Sequence, residues 1–168
     1  MRLRSIFIVA SALLVNSLTI AQKRLITSQT KNLESPDGML VAVVSSSKVL
    51  EATIESRIEI RTSNGKNVLK RDYSSSDGEH GFGVKKALWT PDSQFFLYSL
   101  ESSGGHSGWH FPIDIFSRRR GRIFRLDDAL NDAVTDPDFG VAAPDRITVQ
   151  VLSDKRTRTV SSVHLPLR

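Results

Sequence analysis

An internal repeat constrains the fold of this chain more than any other feature. The segment "SPDGMLVAVVSSS" begins at Ser35, and "TPDSQFFLYSLES" begins at Thr90, 55 residues later. The isoleucine pair Ile58 and Ile60 recurs as Ile113 and Ile115, at the same offset of 55 residues. Because two separate segments agree in register, we interpret the chain as a duplicated structural unit.

Each copy predicts antiparallel β-structure. Its Pro-Asp pair favours a tight turn, and the apolar runs that follow, 39–44 and 95–100, are typical of strands buried on both faces. The next segments, "RIEIRTSNGKNVL" and "PIDIFSRRRGRIF", alternate in polarity as outer strands with one wet face do. Only "LDDALNDA", at 126–133, favours a helix.

These elements predict an all-β fold with compact antiparallel sheets and a single β domain over 34–168. The two full units span about 35–89 and 90–142, and "APDRITVQVLS" opens a partial third unit at 143–168. We expect the full units to pack face to face as a sandwich in a monomer. Self-assembly of several copies into a ring is the alternative.

Residues 1–21 have the layout of a secretory signal peptide. Two arginines in "MRLR" precede an apolar run, Ile6 to Ile20, and small residues precede a cut after Ala21. The run is shorter than the roughly 20 residues of a spanning helix, so we expect cleavage and no membrane span in the mature chain. The polar segment 22–33 is then a tail or an edge strand.

Composition narrows the compartment and the partners. The chain has no cysteine, and an exported chain without disulfides is typical of the bacterial periplasm or exterior. Its formal charge is +5, but the charges are mostly interleaved. The basic run "SRRRGR" is typical of a solvated hairpin turn, so we predict no nucleic-acid partner.

The two turn motifs carry a family resemblance. Ser35-Pro36-Asp37-Gly38 and Thr90-Pro91-Asp92-Ser93, with Trp89 just ahead of the second, resemble the blade signature of TolB-type β-propeller repeats. This resemblance covers about 35–126 and implies that each unit is like one propeller blade. Closed propellers have about four to eight blades, so two units and a fragment imply no closed propeller.

The TolB-type signature also occurs in the propellers of prolyl-oligopeptidase-like enzymes, where it marks a non-catalytic domain. The chain resembles, in addition, a group of bacterial secreted proteins that carry "WTPDSQFF" and a Gly-His-Trp-His loop. That second resemblance brings no activity with it.

The segment "ESSGGHSGWHFPI", 101–113, is the strongest candidate for a functional site. It links two strands by about ten residues, whereas hairpins usually need two to five. We predict an ordered loop that packs against "GEHGFG", because a disordered loop seldom keeps a tryptophan. The predicted contact face is the end bearing 77–83 and 101–111, and its binding residues are Glu79, His80, His106, Trp109 and His110.

The function that follows is an exported, non-catalytic binding module with an unidentified protein or carbohydrate partner. A structural role for the loop, in which Trp109 folds back to plug the sandwich, is the alternative. We predict no catalytic residue: "GHSGW" has Trp109 where a Gly-x-Ser-x-Gly elbow has its final glycine, and no helix follows. The sequence leaves open whether the protein is an enzyme, and it favours a protein that does not catalyse a reaction.

A metal-binding or hydrolase-related protein using His80, His106 and His110 is the alternative function. Histidines four residues apart converge on a metal when they share a helical face, but the glycines around them disfavour a helix. On an extended strand they would lie about 13 Å apart, too far to share one zinc. We predict no cofactor, with zinc at the histidines or calcium at the acidic "DALNDAVTDPDFG" as alternatives.

Overall fold

The structure, a computed structural model, describes residues 27–48, 54–153 and 157–165. In these ranges the chain forms three four-stranded antiparallel sheets and one short helix, and none of these sheets closes into a barrel or a propeller. The predicted all-β class, with antiparallel sheets and no closed propeller, is therefore confirmed. The predicted signal peptide, 1–21, lies outside the described residues.

The three sheets follow one another along the chain. The first sheet contains β1 (Thr27–Glu34), β2 (Leu40–Lys48), β3 (Ile54–Thr62) and β4 (Asn67–Asp72), paired in that order. The central sheet contains β5 (Phe82–Trp89), β6 (Phe95–Ser102), β7 (Ile113–Ser117) and β8 (Arg122–Arg125), also in order. Helix α1 (Leu126–Leu130) then leads to the third sheet.

The third sheet is less regular than the other two. It contains β9 (Ala133–Val134), β10 (Gly140–Ala142), β11 (Arg146–Ser153) and β12 (Thr157–His164). The short strands β9 and β10 pair with successive parts of one edge of β11, and β12 pairs along its other edge. In the part of the chain that the structure describes, no helix is long and apolar enough to cross a membrane.

The duplicated unit begins one strand earlier than the sequence predicts. Strands β1 and β5 begin 55 residues apart, as do β2 and β6, so the Pro-Asp turn lies after the first strand of each unit. The described part of the polar segment, 27–33, belongs to the edge strand β1. Strand β5 belongs to the central sheet, whereas the predicted boundary at 89 places this strand in the first unit. The third sheet begins at β9, ahead of the predicted start at 143.

The two repeated turns have the same internal hydrogen bonds and contact each other. Ser35 Oγ donates to Asp37 Oδ1 at 2.7 Å, and Thr90 Oγ1 donates to Asp92 Oδ1 at 2.6 Å. The backbone N–H of Asp37 donates to Ser93 Oγ at 3.0 Å. The repeat therefore places equivalent turns side by side at one end of the stacked sheets.

The central sheet is packed on both faces. All six side chains of 95–100 are buried. Phe96, Tyr98 and Leu100 belong to the core shared with the first sheet, whereas Phe95 and Leu97 belong to the core shared with the third. The strand is thus buried on both faces, as its apolar run predicts.

The prediction that the second isoleucine pair, Ile113 and Ile115, lies on an outer strand with a wet face is wrong. All five residues of β7 are buried, because the third sheet covers the face that the sequence analysis left open. The corresponding strand β3 does have a wet face, on which Arg57 pairs with Asp72 at 2.6 Å. The expected two-layer sandwich is therefore a stack of three layers.

A buried polar network joins the first and central sheets. The hydroxyl of Tyr73 donates to Asp114 Oδ2 and lies 2.8 Å from the hydroxyl of Tyr98. Arg125 Nε donates to Asp114 Oδ1 at 3.0 Å. Burial comes first among the causes that raise the pKa values of both tyrosine hydroxyls above their ordinary range, so both remain neutral donors. The buried carboxylate of Asp114 thus has a cation and a hydroxyl as partners, as a buried charge requires.

Trp89 also links the first and central sheets. Its side chain packs against Phe96 and Phe116 at centroid distances of 5.1 and 6.3 Å, and its Nε1 donates to the carbonyl of Leu33 at 2.9 Å. Trp89→Ala should therefore lower the free energy of unfolding by about 3 to 5 kcal/mol in a urea titration.

The chain provides a matched control in its second tryptophan, Trp109, which is 52% exposed. Trp109→Ala should lower the free energy of unfolding by less than about 1 kcal/mol. Equal losses for the two variants would contradict the assignment of Trp89 to the core.

Candidate functional site

Two loops meet at one end of the stack. The first loop, 73–81, joins β4 to β5, and the second loop, 103–112, joins β6 to β7. The N–H of Ser103 donates to the carbonyl of Gly81 at 2.9 Å, and the N–H of Gly81 donates to Ser103 Oγ at 3.1 Å. The long second loop therefore packs against the loop carrying "GEHGFG", in the arrangement that the sequence analysis predicts.

A buried carboxylate, Glu55, holds both loops. It lies near the start of β3 and is 2% exposed. It accepts hydrogen bonds from the N–H and hydroxyl of Ser75, from the N–H of Gly81 at 2.9 Å and from the hydroxyl of Ser103 at 3.0 Å. A Cβ at Gly81 would lie 2.3 Å from Glu55 Oε1, so only glycine allows this approach.

The hydrogen bonds keep Glu55 ionised despite its burial. Burial alone would raise the pKa of its carboxyl, but the donors from Ser75, Ser103 and Gly81 outweigh burial and lower the pKa. A carboxylate that accepts several hydrogen bonds is stabilised in its charged form. Glu55 is therefore a charged anchor that fixes the relative position of the two loops.

Two of the predicted histidines contact each other where the loops meet. The rings of His80 and His106 are stacked, with centroids 4.8 Å apart and planes 10° apart. His80 Nδ1 is hydrogen-bonded to Asp77. A Cβ at Gly104 would lie 2.2 Å from the carbonyl oxygen of Glu79, so the backbones of the two loops approach closely here. Glu79, His80 and His106 are therefore neighbours, and all three are exposed.

The third predicted histidine, His110, has a different partner. Its Nε2 is hydrogen-bonded to Asp127 Oδ1 in α1 at 2.6 Å. The N–H of Val134 also donates to Asp127 Oδ1, at 3.2 Å. The ring of Trp109 stacks on His110 with centroids 5.4 Å apart and planes 27° apart. Helix α1 therefore orients His110, and His110 in turn supports the ring of Trp109.

Trp109 lies at a cleft between the second loop and the third sheet. The cleft has a volume of about 530 Å³. Its lining residues are Trp109, His110, Asp127, Asp128, Asn131, Asp132, Ala133 and Leu152. This set, the Trp109 cleft, combines an exposed aromatic ring and two small apolar groups with carboxylates and an amide. No lysine or arginine is among the described residues that line it.

The structure separates the predicted metal ligands into two groups, because His80 lies on His106 whereas His110 pairs with Asp127. Among the described residues, no group of three or more histidines and acidic residues could hold a metal ion. In the acidic segment considered for calcium, Asp136 accepts the N–H of Asp138, and Asp138 pairs with Lys86 at 3.3 Å.

Sequence reasoning found the two loops but missed their supports. Glu55 lies in an alternating strand, and its sequence context gives no signal that it faces two distant loops. Asp127 and Leu152 come from α1 and β11, and nothing in one sequence pairs these elements with the second loop. The structure therefore places the predicted residues in two groups and adds the residues that orient them.

Comparison with models of known protein families gives no match for this chain, and comparison with curated proteins gives none either. The geometry of the two loops and of the Trp109 cleft is therefore the basis of the proposed function.

The anchoring role of Glu55 predicts a pH-dependent contribution to stability. Glu55→Gln should lower the free energy of unfolding at neutral pH by about 1 to 3 kcal/mol, because an amide oxygen accepts more weakly and its NH₂ group faces other donors. The folded-state pKa of Glu55 is lower than its ordinary value of 4.5. Its contribution is therefore complete above that pH and is lost as the pH falls through the lowered pKa.

Urea titrations of the wild type and the variant between neutral and acidic pH measure this difference directly. The gap between them should shrink below a pH of about 4.5. Glu34→Gln, on the exposed side of β1, is the matched control and should change stability by no more than about 0.5 kcal/mol. If the wild type and Glu55→Gln have the same free energy of unfolding at neutral pH, or if their difference does not change with pH, the anchoring role is contradicted.

Proposed function

We propose that the protein is an exported, non-catalytic binding module, periplasmic or secreted, whose ligand contacts the Trp109 cleft. The observation that carries this proposal is the position of Trp109, a large aromatic side chain that is 52% exposed beside a concave surface. Among the described residues, the other large apolar side chains that are exposed are Met39, Ile54 and Val68. Trp109 alone among these is aromatic.

Exposure of Trp109 provides a source of binding free energy. Covering about 100 Å² of its remaining apolar surface would contribute about 2.5 kcal/mol. Tryptophan is also among the residues that most often dominate binding free energy at interfaces. A ligand that covers the ring would therefore gain substantially from this one contact.

The ring is held in place before any ligand binds. It stacks on His110, which Asp127 orients from α1. The loop that carries it is tied to Glu55 through Ser103. Because a preorganised side chain loses less conformational entropy on binding, this support favours a contact role for the loop.

The alternative, a metal-binding or hydrolase-related protein using His80, His106 and His110, has weaker support. The three histidines lie in two groups with different partners. The Nε2 atom of His110 is engaged by a carboxylate. A site that used all three side chains would require the two groups to be rearranged.

Features outside the cleft support the rest of the proposal. The N-terminal sequence supports export, because a basic start is followed by an apolar run as in a secretory signal peptide. The outer face of the first sheet carries ion pairs, Arg57 with Asp72 and Lys70 with Glu59. A charged face is suited to water and not to another sheet, so we propose a monomer.

Substitution of Trp109 tests the contact face. The mature protein would be immobilised and exposed to an extract of the cell envelope and surroundings of the bacterium that makes it. We expect the wild type to retain a ligand that Trp109→Ala does not retain. Val68→Ala is the matched control, because Val68 is an exposed apolar residue on β4 that belongs to neither loop and does not line the Trp109 cleft. It should retain the ligand.

Retention of the same ligand by the wild type, Trp109→Ala and Val68→Ala would contradict the proposed contact face. Stoichiometric zinc or copper in the purified wild type would favour the alternative function. Melting temperatures measured on all three proteins separate loss of binding from loss of folding.

A further inference from the structure

We infer that the ligand of the Trp109 cleft is an uncharged saccharide. This inference rests on the proposed function, and it adds the chemical class of the ligand. It depends on three properties of the cleft: its size, its exposed aromatic ring and the charge of its lining.

The size of the cleft fits a small ligand. Its volume of about 530 Å³ lies within the roughly 300 to 1,000 Å³ that is usual for small-molecule sites. A globular protein partner would instead need a broad surface of about 800 Å² on each side. A concave cleft of this size suits a short oligosaccharide, or the end of a longer glycan.

The ring of Trp109 offers a flat apolar surface. One face of it is engaged in stacking on His110, and about half of the residue remains exposed. Sugar rings have a face made mostly of C–H groups, and an aromatic face can pack against it with dispersion and hydrophobic gain. Leu152 and Ala133 extend the apolar part of the lining.

The polar lining is rich in hydrogen-bond acceptors. Asp128 and Asp132 provide carboxylates, and Asn131 provides an amide that can both donate and accept. Hydroxyl groups of a sugar would donate to these carboxylates in short, charge-assisted hydrogen bonds. A ligand with many hydroxyl donors therefore matches the polar side of the cleft.

The charge of the lining argues against an anionic ligand. No lysine or arginine is among the described residues that line the cleft, and the carboxylates of Asp128 and Asp132 would repel a carboxylate, sulfate or phosphate. Asp127 is hydrogen-bonded to His110 and interacts electrostatically with the guanidinium of Arg125. An uncharged, hydroxyl-rich ligand needs no positively charged side chain as a partner in the cleft.

Binding titrations with defined oligosaccharides test the inference. The probes are three neutral tetrasaccharides (cellotetraose, maltotetraose and tetra-N-acetylchitotetraose), an anionic trigalacturonate and a cationic tetralysine. The signal is tryptophan fluorescence, because Trp109 is the exposed one of the two tryptophans and Trp89 is buried. Isothermal titration calorimetry would measure affinity where the fluorescence change is small.

We expect at least one neutral tetrasaccharide to bind and to shift the emission of Trp109. Its affinity should change less than about twofold between about 0.05 and 0.5 M salt, because no charge pair forms. Trp109→Ala should abolish binding. Asp132→Asn should weaken it about tenfold through loss of a charge-assisted hydrogen bond. Asp138→Asn, which removes an equal charge from an exposed residue outside the cleft, is the matched control and should not weaken it.

Two outcomes would overturn the inference. One is that none of the neutral tetrasaccharides binds at concentrations up to about 10 mM, which corresponds to less than about 3 kcal/mol of binding free energy. The other is that tetralysine or trigalacturonate binds instead, with a strong dependence on salt. Each would leave the proposed function standing if Trp109→Ala still loses the ligand retained from the extract, so the two failures are distinguishable.

Discussion

Burial of strand β6 on both faces is the constraint on which the rest of the structure depends. Its residues 95–100 are all buried, and their side chains alternate between two separate cores. A strand without a polar face needs a layer on each side, so two sheets do not suffice. The first and third sheets supply these layers, and their presence explains why β7 is also buried.

The stack also determines where the candidate site forms. Loops that leave the central sheet lie beside elements of both neighbours. Glu55 reaches them from the first sheet, whereas Asp127 and Leu152 approach from α1 and the third sheet. The exposed ring of Trp109 is thus supported by parts of the chain distant in sequence. Carboxyl groups hold both ends of this support: Glu55 anchors the loop at Ser103, and Asp127 orients His110.

Much of this fold was predictable because the repeat and the apolar runs report packing directly. The polar sequence of β1 left open a tail or an edge strand, since an edge strand has little apolar surface to bury. The alternation in β7 was misleading because Asp114 is polar yet buried, with Tyr73 and Arg125 as partners. For the site, loop length and Trp109 predicted an ordered contact between loops. The partners of Glu55 and His110 were not predictable, because they arise from packing between distant elements.

Hydrogen exchange of the backbone amides, followed by mass spectrometry, tests the three-layer stack most directly. The account predicts that peptides from β6 and β7 exchange most slowly, at the rate set by global unfolding, because a sheet covers each of their faces. Peptides from the exposed strand β4 should exchange faster. Exchange of β6 as fast as that of β4 would contradict the account, since the central strand would then not be covered on both sides.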